Sequence, residues 1–388
     1  MSEIFITGVT GFVGRHLAVR LLNRPDVGQL WCLVRATDIA HGRERLLKSL
    51  KRATDDEHAE ALIGRIQPVL GDLTKERLGL SADQSNDVIQ HCTVFLHAAA
   101  DVRFNQDLED ARLRNVFGTQ QVVAFAREVF EAGRLDRLDW VGTAFVAGNR
   151  PGPVSEDELE HDAGWRNSYE QSKYEAESWL REHCGDMPLT VFRPSIIVGE
   201  SNTGATSNFG MMYWPVQIYA RGWWRTIVGS PKTMVDLVPV NYVADSIELL
   251  SRADQPTGRT WQLAAGEGGA RTIEELAALC HRYFGGKPAR YIDPGFFMKW
   301  VRPVVNLFLW GKKARVLKQG GEFFVPYFTA QPKFDTAKTR QALADSGIAA
   351  PTVEDYFSTL LDYAVQTDFG KRSVSVPGSP PPSATTAA

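Results

Sequence analysis

The stretch TGVTGFVG at residues 7–14 decides the fold of this chain, because it joins a short apolar run to a helical pattern. Residues 4–6 are apolar and typical of a β-strand, and residues 15–22 have the apolar spacing of an amphipathic helix. A glycine-rich turn between a strand and a helix is the context that a dinucleotide-binding loop requires. The stretch therefore predicts the first strand–helix unit of a nucleotide-binding sheet.

Each of the three glycines in this loop has its own use. Gly8 allows a tight turn, Gly11 leaves room for a pyrophosphate against backbone N–H groups, and Gly14 lets the helix pack closely on the strand. A glycine often marks only a turn. Because these glycines stand at the first strand–helix junction, we interpret them as a dinucleotide fingerprint.

Beyond the loop, short β-rich runs alternate with helical stretches. This alternation is typical of a parallel sheet covered on both faces. The predicted strands are residues 4–6, 30–34, 66–70, 93–96, 138–141, 189–192 and 235–240, and the predicted helices include residues 15–22, 107–130 and 169–183. We predict an α/β fold, a Rossmann-type doubly wound parallel sheet with a smaller, mostly helical C-terminal substrate lobe.

The alternation weakens after residue 200, which suggests a domain division. We assign residues 1–265 to the dinucleotide-binding domain, with a substrate-binding insertion at about 200–230. Residues 266–368 form the C-terminal substrate or lid lobe. Residues 369–388 are rich in Ser, Pro, Thr and Ala and are predicted to be a disordered tail.

Composition excludes several classes of protein. The 388 residues are 44% hydrophobic, enough for a large core, and the net charge of −3 gives no field that favours nucleic acid. The four cysteines are far apart, so we expect neither a metal site nor disulfides, and a cytoplasmic protein. No basic leader begins the chain, and no apolar run reaches the roughly 20 residues of a membrane span.

The segment 296–315 combines apolar density with a basic edge at Lys312, Lys313 and Arg315. Such a pattern is found in helices that lie on a membrane surface, and a lipid-like substrate would suit that location. Arg302 and Pro303 interrupt the segment. Core or lid packing is the favoured interpretation, and peripheral membrane contact is the alternative.

The residues after the second and third strands bear on the choice of cofactor. Arg35 follows the second strand, where a carboxylate would bind the ribose of NAD and a guanidinium would bind the 2′-phosphate of NADP. We therefore predict NADP(H). Arg45 supplies a second charge or is only an exposed helical arginine, and Asp72 accepts the adenine amino group or is only a turn residue.

Tyr169 and Lys173 are four residues apart and so share one helical face. A free phenol has a pKa near ~10, and a neighbouring ammonium favours the phenolate and lowers that pKa. Thr143, which follows a predicted strand, is placed to hydrogen-bond a reacting carbonyl oxygen. Together with Asn115, these polar groups predict a site for proton transfer coupled to hydride transfer.

Several motifs in the right order resemble the extended short-chain dehydrogenase/reductase superfamily: the loop at 7–14, HAAA at 97–100, NVFGT at 115–119, Thr143, the Tyr169–Lys173 pair and FRPSIIVG at 192–199. Residues 32–36, 97–104, 143–148 and 236–243 are similar to the fatty acyl-CoA reductase and thioester reductase branch, the male-sterility-like NAD-binding proteins. This chain departs from that branch at Gly142, where Ser is common, and at Asn241, where Asp is common.

The resemblance implies an oxidoreductase of lipid metabolism that reduces acyl thioesters of coenzyme A or a carrier protein to aldehydes or alcohols with NADPH, and that forms a homodimer. The predicted catalytic residues are Thr143, Tyr169, Lys173 and Asn115. The predicted cofactor contacts are Thr7, Gly8, Thr10, Gly11, Phe12, Val13, Gly14, Arg35, Arg45, Asp72, Leu73, Ala98, Ala99, Ala100, Tyr169, Lys173, Pro194, Ser195 and Ile196.

Three questions stay open at this level. Phe209, Tyr213, Trp214 and Trp224 line an acyl pocket or are ordinary core residues. The same catalytic groups serve reductases, epimerases or dehydratases that act on a hydroxy-ketone or a sugar nucleotide. A non-catalytic NADP-binding sensor is the third possibility, and the intact catalytic groups argue against it.

Overall fold

A computed structural model of the chain describes residues 1–222, 225–301, 303 and 332–372. Its strands are β1 (Ser2–Thr7), β2 (Val27–Val34), β3 (Ile66–Leu70), β4 (Val94–His97), β5 (Arg137–Val141), β6 (Gly152–Val154), β7 (Leu189–Pro194), β8 (Ile196–Val198), β9 (Thr226–Val228), β10 (Met234–Val235), β11 (Leu237–Pro239), β12 (Arg259–Leu263), β13 (Arg271–Thr272), β14 (Arg290–Ile292) and β15 (Pro332–Phe334).

The α-helices are α1 (Phe12–Leu22), α2 (Ile39–Leu50), α3 (Asp56–Leu62), α4 (Ala82–His91), α5 (Leu108–Arg112), α6 (Gly118–Glu131), α7 (Ser168–His183), α8 (Tyr213–Ala220), α9 (Val240–Leu250), α10 (Ile273–Phe284), α11 (Pro294–Phe296), α12 (Ala337–Leu343) and α13 (Val353–Gln366). The helix predicted over 107–130 is α5 and α6, joined by a π-helical turn at Leu113–Phe117. Among the described residues, none of the helices has the length and apolar character needed to cross a membrane.

A seven-stranded sheet confirms the predicted Rossmann-type fold. Its strand order is β3-β2-β1-β4-β5-β7-β12, and every neighbouring pair is parallel. The direction of winding reverses between β1 and β4, and ligands bind at such a switch point beyond the carboxyl ends of the strands. The edge strand β12 was not among the strands predicted from the sequence.

Apolar residues on both faces of the sheet explain why it is covered by helices. Leu17 of α1, Leu46 of α2 and Val243 of α9 belong to the core on one face. Phe125 of α6 and Leu180 of α7 belong to the core on the other face. Strands buried on both sides in this way read as continuous apolar runs, which is why the sequence revealed most of them.

The C-terminal residues contact the part of the chain that carries the seven-stranded sheet. The strand β15 pairs in parallel with β6, and Leu343 of α12 belongs to the core beneath α1. The amide of Gln262, on β12, donates to the carbonyl oxygens of Val154 and Asp335 at 3.0 and 2.9 Å. The division of the chain at residue 265 remains a prediction.

Two predicted segments are only partly described. Phe369 packs against the core around α13, so the fold continues past residue 368, and residues 373–388 of the predicted tail lie outside the described residues. In the segment 296–315, Phe296 and Trp300 are 54% and 60% exposed, which contradicts core packing for these two side chains. The remainder of that segment, apart from residues 297–301 and 303, lies outside the described residues.

Candidate functional site

A cleft of about 900 Å³ opens at the switch point of the sheet. It is lined by residues that follow β1, β2, β3, β4, β5 and β7, together with Tyr169 of α7. Of the residues predicted for the site, the following line it: Thr7, Gly8, Thr10, Gly11, Phe12, Val13, Gly14, Arg35, Arg45, Asp72, Leu73, Ala98, Ala99, Ala100, Thr143, Tyr169, Pro194, Ser195 and Ile196. Lys173 and Asn115 are buried and do not border it.

The glycine loop leaves no space for side chains at two of its positions. Gly8 has a φ of +84°, and a Cβ there would lie 2.6 Å from the backbone nitrogen of Ala99. A Cβ at Gly14 would lie 2.2 Å from the carbonyl oxygen of Gly8. The amide of Gly11 closes the turn by donating to Gly8 O at 2.7 Å, and α1 begins at the next residue. The loop thus brings the backbone and the positive end of α1 to the cleft.

The predicted adenine end contains the two arginines and the carboxylate. Arg35 is exposed at the end of β2, and Arg45 of α2 donates a hydrogen bond to the carbonyl oxygen of Arg35. One oxygen of Asp72 accepts hydrogen bonds from the amide and the hydroxyl of Thr74, both at 2.9 Å. These bonds are those of a turn residue, and the contact of Asp72 with the adenine amino group stays a prediction.

Thr143 and Tyr169 meet on the wall of the cleft. Both side chains line the cleft, and the Tyr169 ring centroid lies 5.8 Å from that of Phe104. The amide of Phe145 donates to the Thr143 hydroxyl at 3.2 Å and so fixes its position. Burial raises the pKa of Tyr169 to about 12, with Glu170 adding to the rise and Thr143 opposing it. The phenol is therefore protonated at neutral pH.

Lys173 lies one turn further along α7 and is almost completely buried. Its ammonium donates to the carbonyl oxygen of Val141 at 2.8 Å and lies 3.9 Å from the ring centroid of Trp140. Burial lowers the pKa of Lys173 to about 7, and Glu177 opposes this change. The lowering of the Tyr169 pKa expected from this lysine is not found: burial raises that pKa, and Lys173 is not among the groups that shift it.

Asn115 is a positioning residue rather than a group on the cleft wall. It lies in the π-helical turn Leu113–Phe117, where its side-chain oxygen accepts from Asp101 N at 2.8 Å. Its side-chain nitrogen donates to Asp101 O at 3.0 Å and to the Ser172 hydroxyl at 2.9 Å. These bonds use the amide to hold the cleft loop after β4 against α7, and a catalytic role for Asn115 beyond this positioning stays a prediction.

Of the two alternatives left open for the aromatic residues between 209 and 224, core packing describes Phe209 and Tyr213. Tyr213 is buried and its hydroxyl accepts from Gly199 N at 3.0 Å, and Phe209 packs against the same core. Trp214 is half-buried on α8 and is absent from the cleft wall, and Trp224 lies outside the described residues. The sequence suggested an acyl pocket because aromatic residues cluster there, but the same pattern also suits a core.

Other residues that sequence reasoning did not assign to the site line the cleft beyond Tyr169. Val102, Phe104, Phe145 and Met211 give this part an apolar wall. Arg103 and Arg114 also line the cleft, and both are paired with the Asp101 carboxylate, at 2.6 and 3.4 Å. The sequence could have placed Phe104 and Phe145 in the site, since they lie in the motifs at 97–104 and 143–148.

Asp236 links two chain segments next to the cleft by hydrogen bonds. Its carboxylate accepts from the Ser195 hydroxyl at 2.5 Å and from the amides of Ala265 and Gly266, both at 2.9 Å. Burial raises the pKa of Asp236, and these three hydrogen bonds oppose the rise. The bonds join the end of β7 to the chain that follows β12.

The two departures from the family pattern have local structural reasons. A Cβ at Gly142 would lie 2.5 Å from Cζ3 of Trp140, so the indole fills the space that a serine would need. Asn241 uses both ends of its amide on Ser201, accepting from its backbone N at 3.0 Å and donating to its hydroxyl at 2.8 Å. An aspartate at this position would lack the donor.

Comparison with known proteins identifies the family of this chain. The chain matches the NAD-binding family model described as male sterility protein over residues 6–247. It is 25% identical over 285 residues to the putative fatty acyl-CoA reductase CG8303 of Drosophila melanogaster, covering 63% of this chain and 51% of that protein. It is 32% identical over 277 residues to the aldehyde reductase lnaA of Aspergillus flavus, covering 68% of this chain and 25% of that protein.

The chain thus spans about half the length, or less, of these two curated relatives. The solved structure of the terminal R domain from the myxalamid PKS-NRPS biosynthetic pathway matches with a TM-score of 0.82 and 27% identity, covering 96% of this chain and 93% of that one. The motifs, the fold and the family model agree. The chain belongs to the NAD-binding male sterility family, within the extended short-chain dehydrogenase/reductase superfamily.

Proposed function

We propose that this chain is an NADPH-dependent reductase that transfers hydride to the carbonyl carbon of an acyl thioester, carried on coenzyme A or on a carrier protein, and yields an aldehyde or an alcohol. The observation that carries the proposal is that Thr143 and Tyr169 line the same cleft as the apolar residues Phe104 and Phe145. The names of the relatives, an acyl-CoA reductase and an aldehyde reductase, support it.

The residues of the cleft fit a dinucleotide. The glycine loop forms a cradle in which a Cβ at Gly8 or Gly14 would collide with backbone, so a pyrophosphate is able to approach the start of α1 closely. Arg35 and Arg45 line the cleft and are the proposed contacts of the ribose 2′-phosphate, and Ser195 lines the same cleft. When bound, the nicotinamide supplies the hydride.

The chain's own hydroxyls act on the carbonyl oxygen. As negative charge develops on that oxygen, the Thr143 hydroxyl hydrogen-bonds to it and Tyr169 donates its proton. The resulting hemithioacetal then loses its C–S bond, the thiol leaves with a proton, and an aldehyde remains. Repeating the cycle on the aldehyde gives the alcohol.

The test is NADPH oxidation against a panel of acyl-CoA thioesters, acyl-pantetheine thioesters, aldehydes and ketones, with identification of the products. We expect thioester-dependent oxidation and release of one thiol for each aldehyde formed. Oxidation with ketones alone would refute the thioester proposal.

A sugar nucleotide is the alternative substrate, because Arg103 and Arg114 lie in the cleft where a diphosphate would need positive charge. Both arginines are already paired with Asp101, which offsets that charge. UDP-sugars belong in the same panel, and their conversion without net NADPH oxidation would favour an epimerase.

Replacing Arg35 by Ala is expected to weaken NADPH binding by roughly 10- to 100-fold and to leave NADH binding nearly unchanged, since only NADPH has a phosphate for the guanidinium to bind. Binding is measured by cofactor fluorescence. Arg43→Ala is the matched control, because Arg43 is an exposed arginine of α2 that does not line the cleft. Equal losses for both cofactors would refute the assignment of Arg35 to the phosphate.

The rate of reduction is expected to fall as the pH rises above about 7. The pKa of Lys173 is lowered to about 7 by burial, so its charge is lost above that pH, whereas Tyr169 keeps its proton because its pKa is about 12. Loss of the ammonium withdraws the charge that stabilises the phenolate left after proton donation. The measurement is log kcat/KM between about pH 5.5 and 9.5. A flat profile above pH 8 would contradict this role for Lys173.

A further inference from the structure

Trp140 is a large buried side chain next to the site that the proposed chemistry does not use. It lies on β5 and is 1% exposed. The face of its indole ring lies 3.9 Å from the Lys173 ammonium, whose hydrogen-bond acceptor is Val141 O at 2.8 Å. An ammonium over the face of an indole is attracted by the ring quadrupole, and more strongly when water is excluded.

The indole ring is held in this orientation by a hydrogen bond at its edge. Its N–H donates to the Thr119 hydroxyl oxygen at 3.3 Å. The Thr119 hydroxyl has only one proton, and it donates that proton to the carbonyl oxygen of Asn115 at 2.6 Å. Thr119 is therefore an acceptor toward its other neighbour, Nε2 of His97, which lies 3.1 Å away.

This assignment fixes the protons of the remaining groups. His97 carries its proton on Nε2, and burial lowers its pKa to about 3, so the ring is neutral. Nδ1 is then an acceptor, and the Thr7 hydroxyl donates to it at 2.6 Å. The Thr7 oxygen in turn accepts from the amide of Ala99 at 3.2 Å. A continuous set of buried hydrogen bonds thus runs from the glycine-loop end of β1 to the indole.

We propose that Trp140 is the positioning residue for the Lys173 ammonium, with its indole face as the platform and Thr119 as the anchor that orients it. The proposal depends on one part of the proposed function, the role of Lys173 in hydride transfer. Gly142 supports it independently, because a side chain there would collide with the indole. The position next to Thr143 therefore has room for the Trp140 ring only because residue 142 has no side chain.

The other charged and titratable groups near the ammonium are few within the described part of the chain. Tyr169 and Glu177 lie one turn before and one turn after Lys173 on α7, and Glu177 is paired with Arg193 of β7 at 2.5 Å. His97 of β4 is neutral. Glu177 is shared with Arg193 and Arg181, which weakens its effect on the ammonium, and the indole face contributes beside it.

The test compares Trp140→Leu, which removes the ring, with Trp140→Phe, which keeps an aromatic face but loses the N–H. Lysine-selective isotope labelling and NMR titration report the Lys173 pKa without any substrate, and Lys173→Met assigns the resonance. We expect the Leu variant to lower that pKa by roughly half to one unit and kcat by about 5- to 30-fold, with a smaller change for Phe. The basic limb of the kcat/KM profile should move to lower pH by the same amount.

Trp261→Leu is the matched control, because Trp261 is a buried tryptophan of the edge strand β12 in the same sheet. It is expected to lower thermal stability without moving the Lys173 pKa. If Trp140→Leu does not fold, Trp140→Met replaces it, since its flexible side chain fills the space without a ring. An unchanged pKa, a pKa that rises, or equal shifts in the ring-free and Phe variants would overturn the proposal. If Trp140→Leu lowers the Lys173 pKa but the parent enzyme reduces no thioester, only the proposed substrate is refuted.

Discussion

Tyr169→Phe is expected to lower kcat by about two to four orders of magnitude while NADPH binds nearly as before. The substitution removes only the hydroxyl that donates the proton, and the ring keeps its contact with Phe104 at 5.8 Å. Because the phenol has a pKa of about 12, it is the protonated donor over the whole working pH range. Single-turnover kinetics with NADPH and cofactor fluorescence measure the two quantities separately.

Tyr174→Phe is the matched control for this variant. Tyr174 is on the same helix, packs its ring against His161 and Trp165, and does not line the cleft. Removing the Tyr174 hydroxyl should leave kcat within about twofold of the parent value, because substitutions away from the site usually have small effects. Normal turnover by the Tyr169 variant would remove that residue from the mechanism.

Gly14→Ala is expected to weaken NADPH binding by more than about 100-fold and to lower the free energy of unfolding by roughly 1–3 kcal/mol. The new methyl would lie 2.2 Å from the carbonyl oxygen of Gly8, so the start of α1 must move away from β1. That movement shifts the backbone N–H groups at the start of α1 away from the proposed pyrophosphate position. Cofactor titration and chemical denaturation measure the two effects.

Gly64→Ala separates this effect from any general consequence of a glycine-to-alanine change. Gly64 is exposed, and a Cβ there would meet nothing within 4 Å. This variant should bind NADPH like the parent. If Gly14→Ala bound the cofactor equally well, the loop would not be the pyrophosphate site.

The sequence predicted the glycine loop and the positions of most strands of the seven-stranded sheet, because local signals determine both. Gly8 and Gly14 are needed by the backbone itself, and the fully buried strands are short apolar runs between turns. The edge strand β12 was missed because Arg259 and Thr260, at its beginning, are exposed and half-exposed, so its apolar run is short.

What the sequence failed to predict depends on contacts between distant residues. The sequence placed Asn115 among the catalytic groups, but it could not show that the side-chain amide bonds to Asp101 and Ser172, which only the fold brings near. Phe209 and Tyr213 have a composition that fits a pocket or a core equally well, and packing decides for the core. The collision between Gly142 and Trp140 involves residues two apart whose side-chain arrangement no pattern reveals.

The bridge made by Gln262 has a consequence for how this protein tolerates change. The chain leaves the seven-stranded sheet after β12, and one glutamine amide of that strand donates to Val154 O and Asp335 O at 3.0 and 2.9 Å. Gln262 and Asp335, the two ends of the intervening chain, are therefore held at a fixed separation. A change in the length of that chain should carry only a slowly growing cost in loop-closure entropy.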